Sequence, residues 1–161
     1  DGCASYLIEE EGHCQILKST EHTWKNSLSL MGWGVEDDGL SVIFDKVIPD
    51  FITKKLPDVL NKFSFNNLDG YVLHSGGMKI IQAYRQILNN DKTISESEAI
   101  LSKFGNVSSV SVLLTLEEMI KKNYNGVYLM SALGPGFTAG LSAIKMSKNG
   151  WYLLNDLSCF K

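Results

Sequence analysis

The sequence predicts a layered α/β domain. Three observations carry that prediction: short β-branched and apolar runs read as strands, segments with helical spacing separate them, and a pair of strands closes the chain. The chain has 161 residues, enough for one domain with a substantial core. With 44% hydrophobic and 20% charged residues it has the composition of a globular protein. A net charge of −3 and scattered lysines, apart from pairs such as Lys54-Lys55 and Lys121-Lys122, exclude a basic patch for nucleic acid or a membrane surface. No apolar run approaches the ~20 residues needed to cross a bilayer. Three cysteines (Cys3, Cys14 and Cys159) with wide spacing and no CxxC pair fit neither a disulfide framework nor a structural zinc site. They point to a reducing, cytoplasmic setting. The start, "DGCASYLIEE", is strand-like by its third residue with no lead-in, as expected of a chain cut from a longer one.

Along the chain there is no repeat, low-complexity tract or long linker, so one domain is expected over 1–161. "ASYLIEEEGHCQILKS" reads as one or two strands. "LSLMGWGVEDDGLSVIFDK" has Asp37-Asp38-Gly39 as turn chemistry between extended segments. "IPDFITKKLPDVLNKF" has helical spacing at Phe51, Ile52, Leu56, Val59, Leu60 and Phe63, and Pro57 should kink or split it. Tyr71-Val72-Leu73 is a short buried strand. Gly76-Gly77 turns the chain into a helix whose apolar face is Met78, Ile80, Ile81, Tyr84, Ile87 and Leu88. "SESEAILSKFG" opens with a Ser95–Glu98 capping box and stops at Gly105. The next helix, Ser108 to Lys122, is apolar nearly all round in its middle and so is expected to be buried. Glu117–Lys121 and Glu118–Lys122 support its outer end. "GVYLMSALGPGFTAGLSAIKMS" reads as two strands joined by a glycine-rich loop, Gly134 to Gly140.

Two residues stand where chemistry is usually placed. His74 closes an apolar strand directly before "SGG". A neutral imidazole there donates to a developing oxyanion or exchanges a proton near neutral pH. The alternative is a histidine bonded to a nearby carbonyl. Asn106 lies between Gly105 and the buried helix. It is either an N-cap, for which asparagine ranks among the best residues, or an amide donor to a carbonyl oxygen becoming negative. Ser108 and Ser109 hold that mouth or cap the helix. Gly76 and Gly77 allow close backbone approach or simply make a turn. "LGPGFTAG", with a proline and a phenylalanine, reads as a shaped wall rather than a linker, with a plain hairpin turn as the other option. His13 and His22 lie in polar surroundings and are expected at the surface. Cys3 has no nearby base or helix mouth to activate it and is expected to be a small buried filler.

Taken together, "LHSGG", "LSKFGNVSSVSVLLTLEEM" and "LGPGFTAG", in that order and at these spacings, resemble the C-terminal half of type III polyketide synthases. These are the chalcone synthase-like branch of the thiolase superfamily. "DGCASYLIEE" resembles the strand opening that half and "MGWGVEDDGLSVIFDKVIPDFI" its next segment, so the likeness runs from Asp1 to about Ser147. The last stretch, "KNGWYLLNDLSCFK", has no counterpart in it. The resemblance implies one thiolase-like half, a mixed sheet with helices packed on it, whose exposed face meets the N-terminal half of the same polypeptide.

It further implies a decarboxylative Claisen condensation of an acyl-CoA starter with malonyl-CoA at a cysteine, histidine and asparagine. No metal or cofactor is implied beyond the coenzyme A thioester substrates, and the full-length protein is expected to be a homodimer. By motif, His74 and Asn106 take the histidine and asparagine roles. Gly76, Gly77, Ser108, Leu133, Gly134, Pro135, Gly136 and Val42 fall at substrate-binding positions.

The departures concern product rather than reaction class. The nucleophile belongs to the absent half, so this chain alone is expected to be inactive, and none of the three cysteines matches it. The gatekeeper phenylalanine would precede Asp1. Val42 and Leu133 replace phenylalanines, Ser75 a proline, and Met78 and Lys79 stand where small residues are usual. Two other readings remain: a ketoacyl synthase III-like enzyme acting on an acyl carrier protein, and a non-catalytic subunit or binding module that pairs with a separate N-terminal partner.

Overall fold

The computed structural model describes residues 2–8, 10, 14–88 and 93–147. His13, Cys159 and the unplaced tail "KNGWYLLNDLSCFK" lie outside the described residues. In chain order the elements are β1 (Cys14–Thr23), β2 (Met31–Glu36), β3 (Gly39–Phe44), α1 (Ile48–Phe63), β4 (Gly70–Leu73), α2 (Met78–Ile87), α3 (Ile94–Phe104), α4 (Val110–Lys121), β5 (Gly126–Gly134) and β6 (Thr138–Met146). One sheet has the order β1-β6-β5-β4. β4 runs parallel to β5, and the other neighbours are antiparallel, so the sheet is mixed as expected. β2 and β3 form a separate hairpin across Asp37-Asp38, the turn read from the sequence.

The period-2 alternation of the strands divides the core in two. Tyr71 and Leu73 on β4, Leu129 and Leu133 on β5, and Leu141 on β6 face the cluster formed with α1 and α2. Val72, Tyr128 and Ile144 face the opposite cluster, where Val112 and Met119 of α4 close it. The sheet therefore lies between helices, a layered arrangement.

Several expectations need correction. Pro57 does not split its helix, because α1 is one run of 16 residues with Pro57 inside it. Ile52, Leu56, Val59 and Phe63 are all buried on its inner face, and this packing outweighs the hydrogen bond that proline removes. Ser95 is not a cap. α3 begins one residue earlier, its N-cap Thr93 makes no side-chain cap bond, and Glu98 forms a two-pronged pair with Arg85 instead (2.7 and 3.2 Å). Helix α4 starts at Val110 rather than Ser108, with Ser111, Val112, Thr115 and Met119 buried and Leu113, Leu114, Leu116 and Ile120 only half-buried. Its outer end has both expected pairs, Lys121–Glu117 at 2.6 Å and Lys122–Glu118 at 3.6 Å.

The opening segment Gly2–Ile8 has no regular structure, and Cys3 is exposed rather than a buried filler. A strand requires a neighbour to satisfy its backbone, and no strand among the described residues pairs with this one. His22 is half-buried, its ring edge-on to Trp24 at 4.9 Å, and so is not a plain surface residue. Among the described residues no helix is long and apolar enough to cross a membrane.

Candidate active site

The site begins where β4 ends. The His74 N–H donates to the Ser131 carbonyl on β5 at 2.9 Å, which carries the ladder one residue past the strand. The chain then turns sharply: the Gly76 N–H donates to the His74 carbonyl at 2.9 Å. This brings Gly76 against the imidazole, so that a Cβ at Gly76 would lie 3.4 Å from His74 Nε2. Glycine leaves that face of the ring open. Gly77, at φ +146°, serves as the N-cap of α2, a backbone conformation that a side chain would oppose.

His74 is only 7% exposed, and burial pushes its pKa below the ordinary histidine value. The ring is therefore neutral at pH 7. Its Nδ1 and the Oγ of Ser75 are both buried without a hydrogen-bond partner among the described residues.

Asn106 follows Gly105, the C-cap of α3, which lies at φ +72° and was legible as a helix stop. The carboxamide divides its work. Its oxygen accepts the Ser108 N–H at 2.9 Å, and its nitrogen donates to the Gly76 carbonyl at 3.1 Å. Ser108 sits at φ +57°, a backbone state costing ~1–3 kcal/mol for a non-glycine residue, and the Asn106 bond helps to hold it there. Asn106 is thus not the N-cap of α4, a position taken by Ser109 without any side-chain cap bond. An amide nitrogen has two hydrogens, and the Gly76 carbonyl accounts for one.

His74 and Asn106 consequently meet across the backbone of Gly76. Both line a small concavity, with about 20 Å³ of room for water-sized groups and about 270 Å³ when the open solvent at its mouth is counted. Gly76, Leu133, Phe137 and Ile80 contribute to its wall, and Met31, Phe44 and Ile48 complete it. Apolar walls with two convergent polar groups are the usual make-up of a small-molecule site. Asn106 is exposed, so the described chain leaves one side of the site open to water.

Of the other residues singled out in the sequence, Gly76 and Leu133 are at the wall. Gly134 ends β5 opposite Thr138, and Pro135 and Gly136 make the turn to β6 that carries Phe137 into the wall. Ser108 supports Asn106 from outside. Val42 is not at the concavity: it is 60% exposed on the β2–β3 hairpin, paired with Trp33. Phe44, two residues along the same face of β3, reaches the wall instead. The residues missed were Met31, Phe44, Ile48 and Ile80, whereas Phe137 belongs to the loop already read as a shaped wall. Strand alternation from Val42 could have found Phe44, whereas Met31 and Ile48 come from distant elements and had no local signal.

The model of the chalcone and stilbene synthase C-terminal domain matches residues 14–144. A protein of Bacillus subtilis (strain 168) described as a putative chalcone synthase is 31% identical over 144 residues, covering 83% of this chain and 40% of that protein. A β-ketoacyl-[acyl-carrier-protein] synthase III of Campylobacter curvus is 26% identical, covering 94% of this chain and 45% of the relative. The C-terminal type III polyketide synthase domain of Steely1 from Dictyostelium superposes with a TM-score of 0.76 at 19% identity, covering 88% of this chain and 43% of that one. This last is a likeness of fold. The chain spans less than half the length of these relatives. On the extent of the domain match, the chain belongs to the chalcone and stilbene synthase family, in its C-terminal domain.

Proposed function

We propose that this chain is the C-terminal half of a polyketide synthase that joins an acyl-CoA starter to malonyl-CoA by decarboxylative Claisen condensation. The observation that carries the reading is the convergence of a neutral, buried imidazole and an oriented carboxamide on one apolar concavity. Loss of carbon dioxide from malonyl-CoA leaves an electron pair on the α-carbon, delocalised onto the thioester oxygen. Two neutral donors aimed at that oxygen stabilise the enolate more than the ground state. The enolate carbon then bonds to the carbonyl carbon of an acyl group held as a cysteine thioester, and the cysteine thiolate leaves. That cysteine would come from the N-terminal half, and His74 would pair with its thiolate before acylation. The chain by itself is then inactive, and the working unit is the longer polypeptide, as a homodimer.

The test uses the full-length polypeptide with radiolabelled malonyl-CoA. Replacing His74 or Asn106 with alanine is expected to lower carbon dioxide release about 10²–10³-fold each, the usual effect of losing one oxyanion donor. Undiminished release in either variant would remove that residue from the chemistry. A second reading, a single condensation on an acyl carrier protein, is favoured by the Campylobacter relative, which covers 94% of this chain. Comparing malonyl-CoA with malonyl carrier protein as extender separates the two.

A further inference from the structure

The glycine-rich wall does not stand by itself. Ser27, between β1 and β2, is 2% exposed and 109 residues upstream of Gly136, yet its hydroxyl reaches the Gly136–Phe137 peptide. Its oxygen accepts the Phe137 N–H at 2.7 Å. Its hydrogen is directed to the Trp24 carbonyl at 2.6 Å, with the Gly136 carbonyl at 3.1 Å as the weaker sharer. The neighbouring backbone closes the clamp, since the Trp24 N–H donates to the Phe137 carbonyl at 3.0 Å. Phe137, so held, is 1% exposed, stacks on Trp24 at 5.6 Å and lines the concavity beside His74.

We propose that Ser27 is a positioning residue for the condensation: its hydroxyl fixes the Phe137 backbone, and with it the wall against which the acyl group lies. This rests on the proposed function for its chemical consequence, whereas the clamp itself does not. A buried N–H deprived of its acceptor carries its full desolvation cost, so the loop must move or admit water when the hydroxyl is removed. Decarboxylation depends on His74 and Asn106, which Ser27 does not touch. Capture of the enolate depends on where the acyl group is held, and a displaced wall lets a proton from water reach the enolate first. The two steps should therefore uncouple.

The experiment has two arms. Ser27→Cys keeps the side-chain shape with a larger sulfur that accepts hydrogen bonds poorly, and Ser27→Ala removes the acceptor without added bulk. In the first arm, amide exchange is followed by NMR on the chain itself, with the slowest-exchanging amides of the central strands β5 and β6 as the reference for global opening. Exchange at Phe137 is expected to rise at least about tenfold relative to that reference in either variant. Exchange rising only in step with the reference overturns the clamp, whatever reaction the protein catalyses. In the second arm, the full-length Ser27→Cys protein is assayed for carbon dioxide released per condensed product. That ratio is independent of the amount of folded enzyme and is expected to rise about fivefold or more. A ratio equal to that of the unaltered protein overturns the positioning role, even if stability has fallen. An unaltered protein that releases no carbon dioxide from malonyl-CoA would instead overturn the proposed function, and the exchange arm still decides the clamp.

Discussion

His74 is neutral because of where its strand stops. The last ladder bond to Ser131 draws the ring into the core, and desolvation disfavours its charged form. An unfolded histidine titrates near 6.5, and the folded value lies below it. Between the two, the unfolded chain binds the extra proton. The contribution of His74 to stability is therefore complete above 6.5 and is lost as pH falls through the folded value. Urea unfolding of the chain should show a lower midpoint at about pH 5 than at about pH 7, and His74→Gln should flatten that difference. A slope unchanged by the substitution would place the sensitivity elsewhere. Asn106 yields a complementary prediction. Asn106→Asp keeps an oxygen for the Ser108 N–H but sets a carboxylate against the Gly76 carbonyl where the amide donated. In the full-length protein the melting temperature should stay within a few degrees while carbon dioxide release falls about 10²–10³-fold. Melting and turnover that fall together would mean the donor is structural.

At the scale of elements, the clearest lesson is how unequal similar-looking ion pairs are. Glu96, on the first turn of α3, has a side chain 9% exposed; it accepts from Lys122 Nζ at 2.7 Å and the Tyr124 hydroxyl at 2.9 Å. This ties α3 to the connection between α4 and β5. Glu117 pairs with Lys121 at 2.6 Å, but both side chains are about half exposed. Glu96→Ala should cost ~2 kcal/mol, because it leaves the Tyr124 hydroxyl and the Lys122 ammonium without their shared partner. Glu117→Ala should cost ~0.5 kcal/mol or less, as exposed i,i+4 pairs do. Denaturant titrations of the two variants check this, and equal costs would refute it.

The Glu117–Lys121 pair was legible in the sequence, while the Glu96 network was not. Spacing along one helix can be read locally, whereas Glu96 meets partners 26 and 28 residues away that only the fold brings near. The same divide runs through the site. His74 before its glycines, Asn106 after Gly105 and the loop around Pro135 were visible as motifs. Ser27, Met31 and Ile48, which position or complete the wall, carry no motif and arrive through tertiary packing.

At the scale of the whole molecule, the two-stranded ribbon carries an unusually apolar exposed face. Direct cross-strand pairing puts Trp33 beside Val42 and Val35 beside Leu40 on one face of β2 and β3. These four are 56, 60, 86 and 67% exposed, and Met31 and Phe44 continue the face inward to the concavity. A contiguous apolar strip of this kind marks a surface meant to be covered. On the function proposed above, the N-terminal half of the longer polypeptide would be that cover; the chain spans about two-fifths of the length of its Bacillus relative. Acrylamide quenching tests this through Trp33, its signal isolated by subtracting that of Trp33→Phe. In the isolated chain Trp33 should quench readily and emit at long wavelength. In the full-length polypeptide its emission should shift to the blue and its quenching constant should fall severalfold. Equal quenching in both would mean that the ribbon stays in water, and that the side of the concavity open at Asn106 is not closed by the cover that shields the ribbon.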